Sequence, residues 1–165
     1  MGITRNFVTP LHEATKRDYL GRMNDNKANC MIEAKDYDYS YWDGDRRFGY
    51  GGYQYIAGRW KSVAEALIQN YNLINESSIL DVGCAKGFML HDFREIMPQV
   101  SVSGIEISQY ALDNSMEDVK PFLRQGNAKQ LPYDGNSFDL VISINTVHNL
   151  PLVECKQALQ EIERV

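Results

Sequence analysis

The stretch Ser78-Ile79-Leu80-Asp81-Val82-Gly83-Cys84-Ala85-Lys86-Gly87-Phe88 decides the reading of this chain. Ile79, Leu80 and Val82 form a short apolar run with the length of a buried strand. The run breaks into a turn of small residues and resumes at Phe88 as a helix to Ile96. A strand that feeds a glycine turn and then a helix N-terminus makes a site for a polar or anionic ligand group. Glycine lets backbone approach the ligand, and the first helical turn offers unpaired N–H groups.

Spacing narrows the ligand. A dinucleotide site wants G-x-G-x-x-G, whose middle glycine clears the pyrophosphate. Here Ala85 takes that place, and the order is D-x-G-x-x-x-G from Asp81 to Gly87. This pattern resembles the first motif of the class I S-adenosylmethionine (SAM) dependent methyltransferases. The resemblance implies that the turn through Gly83, Cys84 and Gly87 passes under the methionine part of SAM, while Asp81 helps hold its amino group.

Two further stretches extend the resemblance. Ser101-Val102-Ser103-Gly104-Ile105-Glu106-Ile107-Ser108 reads as a second strand ending in an acid nineteen residues after Gly87. A carboxylate is acceptor-only and can take both hydrogen bonds of a ribose diol. Glu106 is assigned that role, with Ile107 beside it, and Ser108 is an N-cap for a helix over 109–116. Gly126-Asn127-Ala128-Lys129-Gln130-Leu131-Pro132-Tyr133 then runs into Ser137-Phe138-Asp139-Leu140-Val141-Ile142-Ser143. It is similar to the family's G-D-A-x-x-L-P-[FY]-x-x-x-S-F-D-x-V. The resemblance implies an adenine contact at position 127 and a ring-nitrogen contact from the Ala128 amide. Asn127 replaces the usual acid, and its amide oxygen still accepts. Ser143, Asn145 and His148 fall at the end of an apolar strand over 138–144, where parallel open sheets bind ligands. Asn145 is counted with the cofactor residues.

Composition sets the outer bounds. Hydrophobic residues make up 44% and charged residues 24%, which suits one folded domain with a core. A net charge of −5 without a basic run argues against a nucleic-acid face. No apolar stretch approaches the ~20 residues of a membrane helix, and the N-terminus lacks a signal-peptide core. Met1-Gly2 with Asn6 does not fit a myristoylation site. Cys30, Cys84 and Cys155 are widely spaced, form no metal cluster and suit reduced thiols in a cytoplasm. No metal is expected.

The expected fold is an α/β, Rossmann-like parallel sheet in the order 3-2-1-4, with strands at 78–83, 101–106, about 121–125 and 138–144. A helix over 60–71 precedes it and an amphipathic helix over 152–165 follows. The complete sheet of the family has seven strands. The expectation is therefore a fragment that stops before the fifth to seventh strands, or a sheet completed by a second copy in a homodimer. Residues 60–165 form the SAM-binding domain. Residues 1–59 form an N-terminal segment: one or two short helices over about 9–26, a Tyr- and Asp-rich surface loop over 34–48 that packs over the core, and a glycine- and tyrosine-rich stretch over 46–60. Tyr50, Tyr53 and Tyr55 in the last stretch read either as a packed aromatic loop or as a lid on the cofactor. Tyr53 is the lid candidate carried forward, because a cation over an aromatic face gains ~0.5–2 kcal/mol.

The implied function is SAM-dependent methyl transfer to a small-molecule acceptor, with S-adenosylhomocysteine as product. A sugar or surface-glycan precursor is suggested by similar sequences that pair such a segment with Asn-x-x-His-Asn-Leu. His148 is the candidate general base by residue type, because its pKa lies near neutrality; His91 and His12 have weaker claims. Two alternatives stay open: a non-catalytic SAM-fold subunit or pseudoenzyme, and an NAD-type enzyme that Ala85 disfavours.

Overall fold

The computed structural model describes residues 3–13 and 26–165. Its centre is a four-stranded parallel sheet: β1 (Ser78–Val82), β2 (Ser101–Glu106), β3 (Leu123–Gln125) and β4 (Leu140–Ile142). The strand order is β3-β2-β1-β4, as the alternation of apolar runs and helical stretches predicts. Ile79 sits opposite Val102 on one side and Leu140 on the other. β1 therefore lies inside the sheet with both faces covered, which is why its sequence is a nearly unbroken apolar run.

The two-residue period of β1 sorts its side chains between two cores. Ile79 joins Val63, Ala64 and Leu67 of the helix Lys61–Tyr71 and Leu90 and Phe93 of the helix Phe88–Ile96. Leu80 and Val82 join Ile105, Leu131 and Ala158 of the helix Leu152–Arg164 on the opposite face. The helix Phe88–Ile96 starts on Gly87 at φ 76°. A Cβ there would stand 2.7 Å from Val119 Cγ2, so this glycine is needed for close packing. The helix Lys61–Tyr71 stops on Asn72 in the left-handed region, a residue type that tolerates it.

Several boundaries differ from expectation for local reasons. β4 is three residues long, not seven. The Ser137 and Phe138 amides donate to Val165 O at 2.5 and 3.0 Å, and Ser143 Oγ donates to Val82 O at 2.9 Å. These groups serve the end of the last helix and the end of β1, not the β1–β4 ladder. Residues Lys120–Phe122 form a 3-10 turn around Pro121, so β3 begins at Leu123. The helix after Ser108 ends at Asp113.

The N-terminal segment departs further. The helix expected over 9–26 is present as Thr9–Glu13; its remainder, like Met1-Gly2, falls outside the described residues. The stretch 34–48 lies at the surface and packs over the core, as expected, but carries a helical turn. Tyr39–Trp42 form a short helix, capped by Asp38, whose side chain accepts from the Ser40 amide. Trp42 is only 4% exposed and packs against Ala85 and Ala111. Among the described residues no helix is long and apolar enough to cross a membrane.

One buried group works against stability. The Tyr133 hydroxyl is shielded from solvent without a hydrogen-bond partner among the described residues, at the rim of the cluster around Leu131 where its ring packs edge-on to Phe138. An unsatisfied buried donor costs about 1–3 kcal/mol. Tyr133→Phe is expected to stabilise the chain by about 1 kcal/mol, read as a higher urea midpoint with unchanged m-value.

Candidate functional site

The site forms where β1 and β2 end side by side. The Gly83 and Cys84 amides both donate to Ile105 O, at 2.7 and 3.1 Å. Gly83, Ala85 and Gly87 have positive φ, at 86°, 52° and 76°, so the turn curls tightly. Glu106 locks it: Oε2 accepts from the Ala85 amide at 2.9 Å and Oε1 from the Ser108 amide at 3.0 Å. A Cβ on Gly83 would collide with Thr146 Oγ1 at 2.0 Å, so only glycine fits between the turn and the segment after β4.

The turn floors a cavity walled by Ile107, Asn127, Ala128, Asn145 and Thr146. Its roof is aromatic and comes from the N-terminal segment: Tyr37, Tyr41, Trp42, Tyr50 and Tyr53. Trp42 and Tyr50 stack at 5.3 Å with rings parallel within 1°, and Tyr53 stacks on Phe88 at 5.0 Å. The Trp42 indole N–H donates to Ser108 Oγ at 2.9 Å, which anchors the roof to the turn after β2.

Electrostatics on the floor are strained. Burial, then the charge of Glu106, pushes the Asp81 carboxyl up to about 7. Burial also raises Glu106, opposed by the Ser108 and Ala85 amides. The Cys84 thiol is driven well above its ordinary value by burial and the two acids, which keeps it protonated. Among the described residues no lysine, arginine or histidine lines this cavity.

Most of the expected residues converge. Asp81, Gly83, Cys84, Glu106, Ile107, Asn127, Ala128, Asn145, Tyr53 and Tyr50 all line the cavity. Gly87 does not; it caps the helix that follows. Asn127 Oδ1 accepts from the Lys129 amide at 3.0 Å, so one of its two lone pairs is engaged within the loop.

The expected base lies beside the cavity lining, not in it. His148 is exposed on the 3-10 turn Val147–Asn149 and does not line the cavity. Asn145, at φ 57°, turns the backbone just after β4, and the side chain brought against Gly83 is Thr146. Tyr55 donates to Asp92 at 2.5 Å and His91 Nδ1 lies 2.9 Å from Asp118, both outside the lining. His12 falls on the helix Thr9–Glu13. Sequence reasoning missed Tyr37, Tyr41, Trp42, Thr146 and Asn149. For Trp42 there was a signal: a large apolar ring in a run of Asp and Tyr. For Thr146 there was none.

Asp81 makes stability depend on pH. Its folded pKa lies above its ordinary value near 4, so between about pH 4 and 7 the folded chain holds a proton that the unfolded chain loses. Stability therefore falls as pH rises through that window, by ~2–4 kcal/mol. Glu106, raised as well, adds the same sign. Urea midpoints at pH 5 and 8 should show the loss, and Asp81→Asn should shrink it.

Comparison with known proteins agrees with the geometry. Residues 79–165 match the family described as "Methyltransferase domain". The demethylmenaquinone methyltransferase of Lactiplantibacillus plantarum is 32% identical over 114 residues, covering 64% of this chain and 46% of that protein. The chain thus spans about half the length of the curated relatives it matches. A SAM-dependent methyltransferase structure from Aquifex aeolicus superposes with a TM-score of 0.53 at 21% identity, covering 67% of this chain and 62% of that one. The SAM-bound structure of an amino pentose methyltransferase from Micromonospora echinaspora gives a TM-score of 0.52 at 24% identity, covering 62% and 44%. At these identities the two structures speak for the fold. The family match takes in more than half of the residues, including the glycine turn, Glu106 and the Asn127 loop, and the chain belongs to the methyltransferase domain family of class I SAM-dependent methyltransferases.

Proposed function

We propose that this chain binds SAM in the cavity above the glycine turn and serves methyl transfer to a small-molecule acceptor. The observation that carries the reading is the pairing of two buried acids, Asp81 and Glu106, with an aromatic roof and no cationic side chain in the described lining. Such a cavity suits a ligand that brings its own positive charge. SAM supplies a sulfonium carrying an activated methyl group, transferred by in-line displacement to O, N, S or C.

The residues present fit that ligand. Asp81 faces the cavity as a desolvated carboxylate that an ammonium group would stabilise. Glu106 accepts from the Ala85 and Ser108 amides, and a carboxylate has further lone-pair capacity for a ribose hydroxyl. Asn127 keeps one lone pair on its amide oxygen for an amino group, and the Ala128 amide stands next to it. Tyr50, Tyr53 and Trp42 offer ring faces to a cation and exclude water from the turn. Gly83 and Thr146 set the floor on the side where an acceptor would enter.

For the acceptor, a sugar or glycan precursor is supported by the roof. A sugar ring presents apolar C–H faces that suit tyrosine and tryptophan rings, and it needs no cationic side chain. A flat quinone ring, the kind of acceptor that the name of the Lactiplantibacillus relative gives, suits the same rings. Cys84 and Cys155, without a disulfide among the described residues, support a reducing, cytoplasmic location.

Calorimetry should find that SAM binds and NAD does not. Glu106→Ala should weaken SAM at least tenfold, equivalent to ~1.4 kcal/mol. Labelled SAM offered with sugar and quinone acceptors then reads the activity. NAD binding without SAM binding would overturn the reading, and SAM binding with no transfer to any acceptor would favour a non-catalytic subunit.

A further inference from the structure

Lys86 stands inside the glycine turn, between Ala85 and Gly87, both at positive φ. An ammonium group in such a turn reads at first as an anion ligand. Its placement says otherwise. The Lys86 side chain is only 4% exposed, does not line the cavity, and holds Nζ 2.6 Å from Asp43 Oδ2. The same Asp43 oxygen accepts from the Tyr110 hydroxyl at 2.8 Å. Asp43 Oδ1 accepts from the Tyr53 backbone N–H at 2.9 Å. Burial pushes the Asp43 carboxyl up, but the bonds from Lys86, Tyr110 and the Tyr53 amide outweigh it and hold the group below its ordinary value.

One carboxylate thus joins three separate pieces of the chain. Asp43 directly follows Trp42, and Tyr53 belongs to the same roof. Lys86 belongs to the glycine turn. Tyr110 belongs to the helix Gln109–Asp113. The roof is also tied within itself: the Tyr50 amide donates to Tyr41 O at 2.9 Å, and the Gly52 and Tyr53 amides donate to Trp42 O at 3.1 and 3.0 Å. These bonds hold the roof segments to one another, and Asp43 fastens them to the turn. Lys86 lies three residues from Gly83, so a shift of the turn on the ligand side reaches Lys86 through a short, tightly curled backbone.

We infer that Asp43 and Lys86 form a positioning latch that sets the aromatic roof over the cofactor turn and couples SAM binding to closure of that roof. The inference rests on the SAM reading. Neither residue touches the ligand; they act through Trp42 and Tyr53. Coupling is reciprocal, so a latch that SAM tightens must itself strengthen SAM binding by the same factor.

The test uses the chain with Asp43→Asn, Lys86→Met, the double variant and Tyr110→Phe. Removing one partner of a buried pair leaves the other uncompensated, whereas the double variant removes both charges. Tyr110→Phe leaves the ion pair intact and decides the matter if the charge variants do not fold. SAM affinity should fall ~10-fold in each charge variant and ~3-fold in Tyr110→Phe, and the double should be no worse than the singles. Hydrogen exchange supplies a readout that a purely structural role would not move. SAM should slow exchange across residues 41–55 in the wild type and fail to do so in Asp43→Asn. If the wild type binds SAM while the folded variants bind within twofold of it, or if SAM protects residues 41–55 equally in Asp43→Asn, the latch is wrong. A wild type that does not bind SAM overturns the functional reading and the coupling with it.

Discussion

The carboxylate of Glu106 is the joint on which the site is built. It ends β2, is buried, and spends one oxygen on the Ala85 amide and the other on the Ser108 amide. It thereby fixes the turn after β1 against the turn after β2. The Ile105 carbonyl beside it takes the Gly83 and Cys84 amides. The glycine turn is therefore shaped by the end of the neighbouring strand as much as by its own glycines. Replacing Glu106 would do more than delete a ligand contact, because two backbone amides would lose their acceptor.

Ser108 extends the same joint outward. Its hydroxyl caps the following helix by accepting from the Ala111 amide, accepts from the Trp42 indole, and donates to Tyr37 O. A residue that local rules explain as an N-cap also anchors a ring sixty-six positions earlier in the chain. Helix start, turn and aromatic roof thus share one hydroxyl. This is how a segment with little regular structure of its own acquires a defined place above the sheet.

That sharing explains which parts were legible in advance. The central strands, their parallel order and the acid at the end of β2 follow from apolar runs at the right spacing, because burial on both faces leaves a local signature. The short outer strands do not. The limits of β4 depend on Val165 O and Ser78, partners far away in sequence. The roof of Tyr37, Tyr41 and Trp42 carries no period, because its rings answer to one another and to Ser108, not to a sheet or helix face. His148 is suggested by its residue type and by its place just beyond the end of the fourth strand. The left-handed turn at Asn145 decides instead which side chain meets Gly83, and nothing around position 145 announces that conformation beyond the residue being asparagine.

Two buried groups in this molecule sit badly with stability, and the difference between them is informative. The Tyr133 hydroxyl is enclosed at the edge of an apolar cluster and has no hydrogen-bond partner among the described residues. Asp81 is also deep, and its carboxyl is raised to about 7 by burial and by Glu106. Yet it opens onto a cavity roofed by rings that favour cations. A polar group that violates local rules in a closed core is merely a cost. The same violation at the floor of an aromatic-lined cavity is one that the proposed positively charged ligand would relieve. The glycine turn alone is compatible with several nucleotide-like ligands; the buried acid beneath the aromatic roof is the feature on which the proposal of a cationic one rests.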